Sequence, residues 1–126
     1  MPHIRIDMRH GTSAGYKNAI MEGVYEALRE TFDVPEDDQF MMINEHGADT
    51  FRYGRNYMGI LRTDDLVMIQ ITVSNTRGVE KKQALFKRIV EKLAAAPGLR
   101  PEDVMVNLVE VVKENWSFGN GLAQYS

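Results

Sequence analysis

The feature that most constrains this chain is an internal repeat. The motif Pro-Glu-Asp occurs at residues 35–37 and again, 66 positions later, at residues 101–103. Each copy follows a segment of alternating apolar and polar residues and then a segment with apolar residues at helical spacing. Repetition of a whole supersecondary unit predicts a chain built from two β-α-β halves.

The first half begins with the alternating segment Ile4–Met8, which predicts a half-buried strand. Thr12 and Ser13 are candidate caps of a helix that runs to about Phe32. After the Pro-Glu-Asp turn, a second strand is predicted over Phe40–Asn44. The apolar face of the predicted helix consists of Ile20, Val24, Ala27, Leu28 and Phe32.

The second half repeats this order. Val67–Val73 alternates in the same way, Pro97-Gly98 ends the second helix, and a last strand is predicted over Val104–Val112. The apolar face of that helix consists of Leu85, Phe86, Ile89, Val90 and Leu93. Residues 45–65 between the halves predict a short hairpin or a loop that meets another subunit.

We therefore predict one domain over residues 1–126, with halves at about 1–44 and 66–112 followed by a C-terminal tail. The predicted fold class is α/β (α+β): a four-stranded mixed sheet with both helices on one face. The other face would then be bare. The last strand carries apolar residues on both sides, such as Met105 and Val104, so this face also needs to be buried. An oligomer is the expected way to bury it.

Composition excludes several classes of function. The net charge of −3 provides no basic field for nucleic acid or a membrane surface. The chain has no cysteine, no apolar run long enough for a membrane span and no secretory signal, so we expect a cytoplasmic protein. His3, His10 and His46 lack metal-ligand spacing, and no phosphate-binding loop is present. We expect neither a metal nor a cofactor.

Pro2 is the first candidate for chemistry. It directly precedes the first strand, and removal of Met1 would leave a free secondary amine there. An α-amine titrates near about 8, and burial beside a cation lowers its pKa, so it can act as a general base near neutral pH. The equivalent position in the second half, near Val67, is an amide inside the chain.

Arg77 and Asp38 are the next candidates. If the first strands of the two halves run antiparallel at the sheet centre, Arg77 lies near Pro2, where its guanidinium suits a substrate carboxylate. Asp37 and Asp38 enter the second strand, and turn formation is the alternative role for both. Asp38 is the better functional candidate because Val104 takes its place in the second Pro-Glu-Asp copy.

Trp116 and Phe118 lie among glycines in the C-terminal tail. Two aromatic side chains in such a segment either wall an apolar pocket or fix the tail onto a neighbouring element.

Together these residues carry a family resemblance. Five features carry it: Met-Pro before a strand, Val34–Asp38, Ile71-Thr72 leading to Arg77, Lys82-Gln83 and Asn115–Gly119. They resemble the tautomerase superfamily, and within it the malonate semialdehyde decarboxylase branch. The resemblance covers nearly the whole chain. It implies a duplicated β-α-β fold, a homotrimer, and an amino-terminal proline as catalytic acid or base.

The resemblance also assigns roles. Pro2 and Asp38 match the catalytic proline and aspartate, Trp116 and Phe118 match the aromatic wall, and Arg77 matches the second of two arginines. Asn75 stands where the family has the first arginine. Loss of a charged hydrogen-bond partner costs about 1.5–3 kcal/mol, and this loss disfavours malonate semialdehyde decarboxylation. A neighbouring subunit offers another source of the cation, with candidates Arg52, Arg55 and Arg62.

The predicted function is therefore keto–enol tautomerisation of a small 2-oxo acid. Two alternatives remain: decarboxylation of a 3-oxo acid such as malonate semialdehyde, and a non-catalytic trimer that binds a small molecule. A retained Met1 would favour the non-catalytic trimer, because the nitrogen of Pro2 would then be an amide.

Overall fold

The computed structural model describes residues 1–126. The four strands are β1 (His3–Arg9), β2 (Phe40–His46), β3 (Val67–Ser74) and β4 (Val104–Val111). The two helices are α1 (Ala14–Phe32) and α2 (Val79–Ala95), and four short 3₁₀ turns complete the chain. The order is β1-α1-β2 and then β3-α2-β4, as the repeat predicts.

The strands form one mixed sheet in the order β2-β1-β3-β4. Within each half the two strands are parallel, and β1 and β3 pair antiparallel at the centre. The pairing is equivalent in the two halves: His3 lies opposite Phe40, and Met68 lies opposite Met105. This arrangement relates the halves by a pseudo-twofold axis between β1 and β3.

Both helices cover the same face of the sheet and pack against each other. Residues that alternate along β1 and β3 are fully buried against the helical faces that the sequence predicts. The main buried contributors are Ile4, Ile6, Ile69, Ile71, Ile20, Leu28, Phe32, Leu85, Ile89 and Leu93. The predicted fold class is confirmed.

The details correct several bounds. β1 and β2 are longer than expected, and β2 runs to His46 rather than Asn44. Ser13 is the cap of α1, because its side chain accepts a hydrogen bond from the Tyr16 N–H, whereas the hydroxyl of Thr12 is buried without a partner. Residues 45–65 contain two 3₁₀ turns beyond the end of β2 and no hairpin.

The second face of the sheet is not covered by the chain. It carries a mixture of charged, polar and apolar side chains, including Arg5, Gln70, Met42 and Met105. Met42 and Met105 are 40% and 49% exposed. None of the helices combines the length and apolar character that crossing a membrane would require.

Candidate active site

The site lies at the start of β1, where three loops meet. Pro2 is buried directly before His3, the first residue of the strand. The turn before β2 places Asp38 nearby, so that the terminal amine of Met1 lies 4.0 Å from the Asp38 Oδ2 atom. The amino terminus is therefore held beside a carboxylate.

Asp38 occupies this position because its turn is fixed on both sides. The Asp38 N–H donates to the Pro35 carbonyl at 3.2 Å, and the Asp37 N–H donates to the Tyr25 hydroxyl at 3.1 Å. Asp37 adopts the left-handed conformation with φ of 67°, which turns the chain sharply between the two aspartates. Tyr25 of α1 thus anchors the turn to the helical layer.

The carboxylate of Asp38 has no hydrogen-bond partner in the chain. Its side chain is 5% exposed, and both oxygens are buried and unpaired. Burial raises the pKa of Asp38, while the positive terminal amine and then Arg77 act in the opposite direction. A buried acceptor without a donor is costly to folding, and such groups are concentrated at functional sites.

Arg77 follows the end of β3 and stands at the beginning of the connection to α2. Its Nη2 atom donates to the Phe32 carbonyl at 2.9 Å, and its guanidinium lies 4.8 Å from the centre of the Phe32 ring. The C-terminal end of α1 therefore holds the arginine. Its charge lowers the pKa of both the terminal amine and Asp38, which places all three groups in one electrostatic neighbourhood.

The terminal amine of Met1 is partly buried. Burial is the main reason that its pKa lies below 8.0; Asp38 raises it and Arg77 lowers it further. A lowered pKa increases the fraction of free base at neutral pH, which is the form that can accept a proton.

Trp116 and Phe118 form an aromatic wall beside β1. The Trp116 Nε1–H donates to the Ser74 hydroxyl at 3.1 Å, which fixes the tail to the end of β3. The two rings stack with centroids 5.3 Å apart. With His3 and Phe40 they enclose a pocket of about 260 Å³.

Tyr125 connects this wall to the charged groups. Its ring packs edge-on against Phe118 with centroids 5.2 Å apart. Burial raises the pKa of Tyr125, the negative charge of Asp38 raises it further, and Arg77 opposes both. Tyr125 therefore contacts the aromatic wall and lies within electrostatic reach of the carboxylate.

Asn75, a predicted site residue, takes part in none of these contacts. Its side chain is exposed and makes no hydrogen bond, while its backbone N–H donates to the Val111 carbonyl at 3.0 Å. Arg62, a candidate for the missing cation, donates from Nη1 to three carbonyl oxygens of its own loop at 3.0–3.2 Å. Arg62 thus holds the loop together.

The structure corrects the expectation that Asp38 has no equivalent in the second half. Strand pairing and the helix caps Ser13 and Gly78 relate the halves by a shift of 65 residues, not the 66 of the Pro-Glu-Asp motif. The structural equivalent of Asp38 is therefore Asp103. The motif is displaced by one residue because the segment between helix and motif is three residues longer in the second half, whereas α2 is two residues shorter than α1.

The two equivalent carboxylates are both buried but differ in their partners. Asp103 accepts from the Thr63 N–H at 2.7 Å and from the Thr63 hydroxyl at 2.6 Å, and Arg100 lies 3.4 Å away. Asp38 accepts from nothing in the chain. Asp103 is therefore a structural residue that fixes the loop before β3, whereas the carboxylate of Asp38 makes no hydrogen bond in the chain.

Comparison with known proteins identifies the family. A family model described as a tautomerase enzyme matches residues 38–119, and a second with the same description matches residues 2–59. A probable tautomerase of Bacillus subtilis (strain 168), YusQ, is 36% identical over 124 residues, 98% of each chain. The chain belongs to the tautomerase family. Another probable tautomerase of that strain, YrdN, is 31% identical and covers 99% of this chain and 96% of its own.

Solved structures place this chain beside the malonate semialdehyde decarboxylase branch, as the sequence resemblance predicts. The FG41 malonate semialdehyde decarboxylase, inhibited by 3-bromopropiolate, superposes with a TM-score of 0.92 and 32% identity, covering 98% of this chain and 93% of that one. A second malonate semialdehyde decarboxylase gives a TM-score of 0.93 at 24% identity, covering 98% and 95%, and shows the shared fold.

Three residues of this candidate site were not among the predicted site residues: His3, Phe40 and Tyr125. His3 and Phe40 line the pocket because they are directly paired across β1 and β2. Strand register fixes that pairing, and an unaligned sequence reveals register only roughly. Tyr125 carried a weak signal, as the last aromatic residue of a tail that already supplied Trp116 and Phe118. No cluster of three or more acidic or histidine side chains is arranged to hold a metal ion.

Proposed function

We propose that this chain is an enzyme of the tautomerase type that uses the amine of Pro2 to move a proton on a small 2-oxo acid. Removal of Met1 exposes the secondary amine at the start of β1. Arg77 holds the substrate carboxylate with support from Asn75, and Trp116 and Phe118 contact the apolar part of the substrate. No cofactor is part of the proposal.

The observation that carries this proposal is the unpaired carboxylate of Asp38 next to the terminal amine. The fold builds the same buried carboxylate twice and satisfies only Asp103. An orphaned acceptor at 5% exposure is stabilised when a bound hydroxyl, such as the enol of the substrate or a water molecule, donates to it. Asp38 would then orient the donor towards the amine.

Proton transfer follows from these positions. In the enol-to-keto direction, the free amine of Pro2 takes the proton from the enol hydroxyl. The electron pair of that O–H bond forms the carbonyl, and the former double bond takes the proton back at carbon from the protonated amine. The pKa of the Met1 terminal amine is lowered at this place. A Pro2 amine exposed at the same place, with its pKa lowered in the same way, would accept and release a proton near neutral pH.

The second candidate is decarboxylation of a 3-oxo acid, which the 32% identity to the FG41 malonate semialdehyde decarboxylase favours. In that reaction a protonated Pro2 would polarise the 3-oxo group while the bond to the departing carbon dioxide breaks. The resulting enolate would take the proton from Pro2 at carbon. The neutral, exposed Asn75 argues against it, because a second cation that stabilises the carboxylate or the enolate is missing.

Two assays on one protein preparation separate the candidates. Ketonisation of phenylenolpyruvate is followed by ultraviolet absorbance, and carbon dioxide release from malonate semialdehyde by a coupled assay. We expect the first activity to exceed the second. Turnover of malonate semialdehyde alone would replace the tautomerase proposal with the decarboxylase.

The role of Pro2 is tested by inserting one lysine between Met1 and Pro2, which blocks removal of Met1 and turns the proline nitrogen into an amide. Because a positioned acid or base contributes about 10²–10⁴-fold to a rate, we expect a loss of this size. Measurement of the intact mass of both proteins must establish whether Met1 is present. Full activity with an amide at Pro2 would reject the mechanism and favour the non-catalytic binder.

We further propose that the chain assembles as a homotrimer in the cytoplasm. The bare sheet face, with Met42 and Met105 exposed among polar residues, supports burial against other copies of the chain. A protein of the same fold, described as a fused 4-OT symmetric trimer, superposes with a TM-score of 0.78.

A further inference from the structure

A second pocket lies at the opposite end of β1 from Pro2. It has a volume of about 450 Å³ and lies beyond the end of β2, where Phe51 and Tyr53 form an aromatic surface and Arg9, Arg52 and Arg55 supply positive charge. None of these residues belongs to the candidate active site. The pocket therefore needs an explanation of its own.

The repeat provides one. A shift of 65 residues relates Phe51–Tyr53 to Trp116–Phe118, so the two aromatic pairs are structural equivalents, with ring centroids 6.0 Å and 5.3 Å apart. The same shift relates Arg9 to Ser74, the residue that fixes Trp116. The second pocket thus borders the structural equivalent of the aromatic pair at the active site, although Met68 and Met105, the equivalents of His3 and Phe40, do not line it.

Its charge differs from that of the pocket at the active site. Arg9 and Arg55 share the carboxylate of Asp64, at 3.5 Å and 3.1 Å, and their guanidinium groups lie over the rings of Phe51 and Tyr53.

Further guanidinium donors in this pocket have no acceptor. The side chain of Arg52 makes no ion pair or hydrogen bond with the chain, and the Nε atom of Arg9 is buried without a partner. Asp49 is the one acidic residue that lines the pocket, and Asp64 adds a second carboxylate beside it. Three arginines against two carboxylates leave the pocket positive and rich in guanidinium donors.

The catalytic parts are absent from this second pocket. Val67, at the position equivalent to Pro2, is inside the chain and offers only an amide. Asp103, equivalent to Asp38, is saturated by Thr63. Nothing here can take up a proton from a ligand near neutral pH in the way proposed for Pro2.

We propose that the pocket is a second, non-catalytic binding site for a small carboxylate with an aromatic body. Arg52 and Arg55 bind the carboxylate, and the body lies against Phe51 and Tyr53. The duplicated unit thus provides two related sites, one reactive and one that only binds. This proposal does not depend on the chemistry proposed for Pro2.

The test uses 4-fluorophenylacetate, an aromatic carboxylate without the 2-oxo group needed for turnover, followed by ¹⁹F NMR and calorimetry on the full chain. We expect two binding events per chain. Arg52→Gln should weaken one of them at least tenfold and leave the affinity of the other within twofold. The matched variant Arg77→Gln should raise KM and leave the Arg52-dependent event in place.

Several outcomes would overturn the proposal. One is a single binding event that Arg77→Gln abolishes and Arg52→Gln leaves intact. Another is inorganic phosphate binding as tightly as the aromatic probe at the Arg52-dependent site, which would show a general anion site. Because activity is measured separately, a failure here is distinguishable from a failure of the proposed reaction.

Discussion

At the scale of single residues, Asp38 and Asp103 show that surroundings decide what a buried carboxylate does. Both enter the second strand of their half at equivalent positions, and both are nearly inaccessible to solvent. Asp103 is bound by a backbone N–H and a hydroxyl of Thr63, whereas Asp38 faces the terminal amine and Arg77 with unpaired oxygens. One residue stabilises the fold, and the other costs stability for the sake of the site.

Opposite effects on stability follow from exchanging each aspartate for asparagine. The raised pKa of Asp38 means that its ionised form is disfavoured in the folded state, so Asp38→Asn should increase the free energy of unfolding at pH 7. That gain should shrink as the pH falls towards the unfolded pKa of 3.8, where wild-type Asp38 is itself protonated. Urea denaturation at pH 7 and pH 4 measures both effects.

Asp103→Asn is the matched control and should lower the free energy of unfolding at pH 7 by about 1.5–3 kcal/mol, because charge-assisted hydrogen bonds from Thr63 are lost. Equal destabilisation by the two substitutions would contradict the different roles assigned to them.

The pH dependence of kcat/KM should report the charges around the amine. Because the free base is the active form, activity should rise with pH through the pKa of the amine. Arg77→Gln removes a charge that lowers this pKa and should move the rising limb to higher pH. Asp38→Asn removes a charge that raises the pKa and should move the limb to lower pH.

The position of the limb is the measured quantity, since both substitutions also reduce the maximum rate. Arg100→Gln, which removes an arginine beside Asp103, is the control and should leave the limb unchanged. Shifts of Arg77→Gln and Asp38→Asn in the same direction would refute the electrostatic account of the amine.

At the scale of secondary-structure elements, α1 and α2 pack side by side on the sheet, and Gly23 of α1 is the point of closest approach. A Cβ atom at Gly23 would lie 3.0 Å from the Leu93 Cδ2 atom and 3.3 Å from the Lys92 Cβ atom. Leu93 is fully buried, and the Cβ atom of Lys92 is fixed to the helix backbone. Neither neighbour can move aside without displacing α2.

Gly23→Ala and Gly15→Ala should therefore have opposite effects on the free energy of unfolding. Alanine is favoured over glycine in a helix by roughly 0.5–1 kcal/mol, and Gly15 has space for a methyl group, so Gly15→Ala should be stabilising. At Gly23 the same gain is outweighed by the clash with α2, and we expect a net loss. Chemical denaturation decides, and stabilisation by both would show that the helices separate easily.

The elements were largely predictable from sequence, and the pairing of elements across the repeat was less so. Apolar periodicity located both helices and all four strands, because each element buries one face, and the bounds that were predicted lie within two residues of the observed ones. The equivalence of Asp38 and Asp103 was missed because the Pro-Glu-Asp motif repeats at a spacing one residue longer than the spacing of the strands. Register depends on which side chains alternate into the core, and Ile4 and Ile69 preserve it where the motif does not.

At the scale of the whole molecule, duplication explains two pockets and one bare sheet face together. Each half contributes an aromatic pair after its second strand, and each pair borders a pocket. Only the first half begins at the amino terminus, so only one pocket can contain an amine. The aromatic pockets and the amine proposed to be catalytic therefore have different origins: the pockets come from the repeated unit, and the amine comes from the end of the chain.

The bare face leads to the prediction on assembly. The helices cover one side of the sheet, and the other side exposes Met42 and Met105 among polar residues such as Arg5. Association of copies through this face would remove apolar surface from water and pair the polar groups between chains. We expect light scattering to give three times the chain mass of 14.4 kDa.

A charge on this face, at Met105 of the edge strand β4, should disrupt this assembly. Met105→Asp buries an unpaired carboxylate in the trimer and should shift the mass towards that of one chain at micromolar concentration. Gln83→Asp, an equal change of charge on the exposed side of α2, should leave the mass unchanged. A monomeric wild-type chain, or a trimer that tolerates Met105→Asp, would show that this face does not hold the copies together.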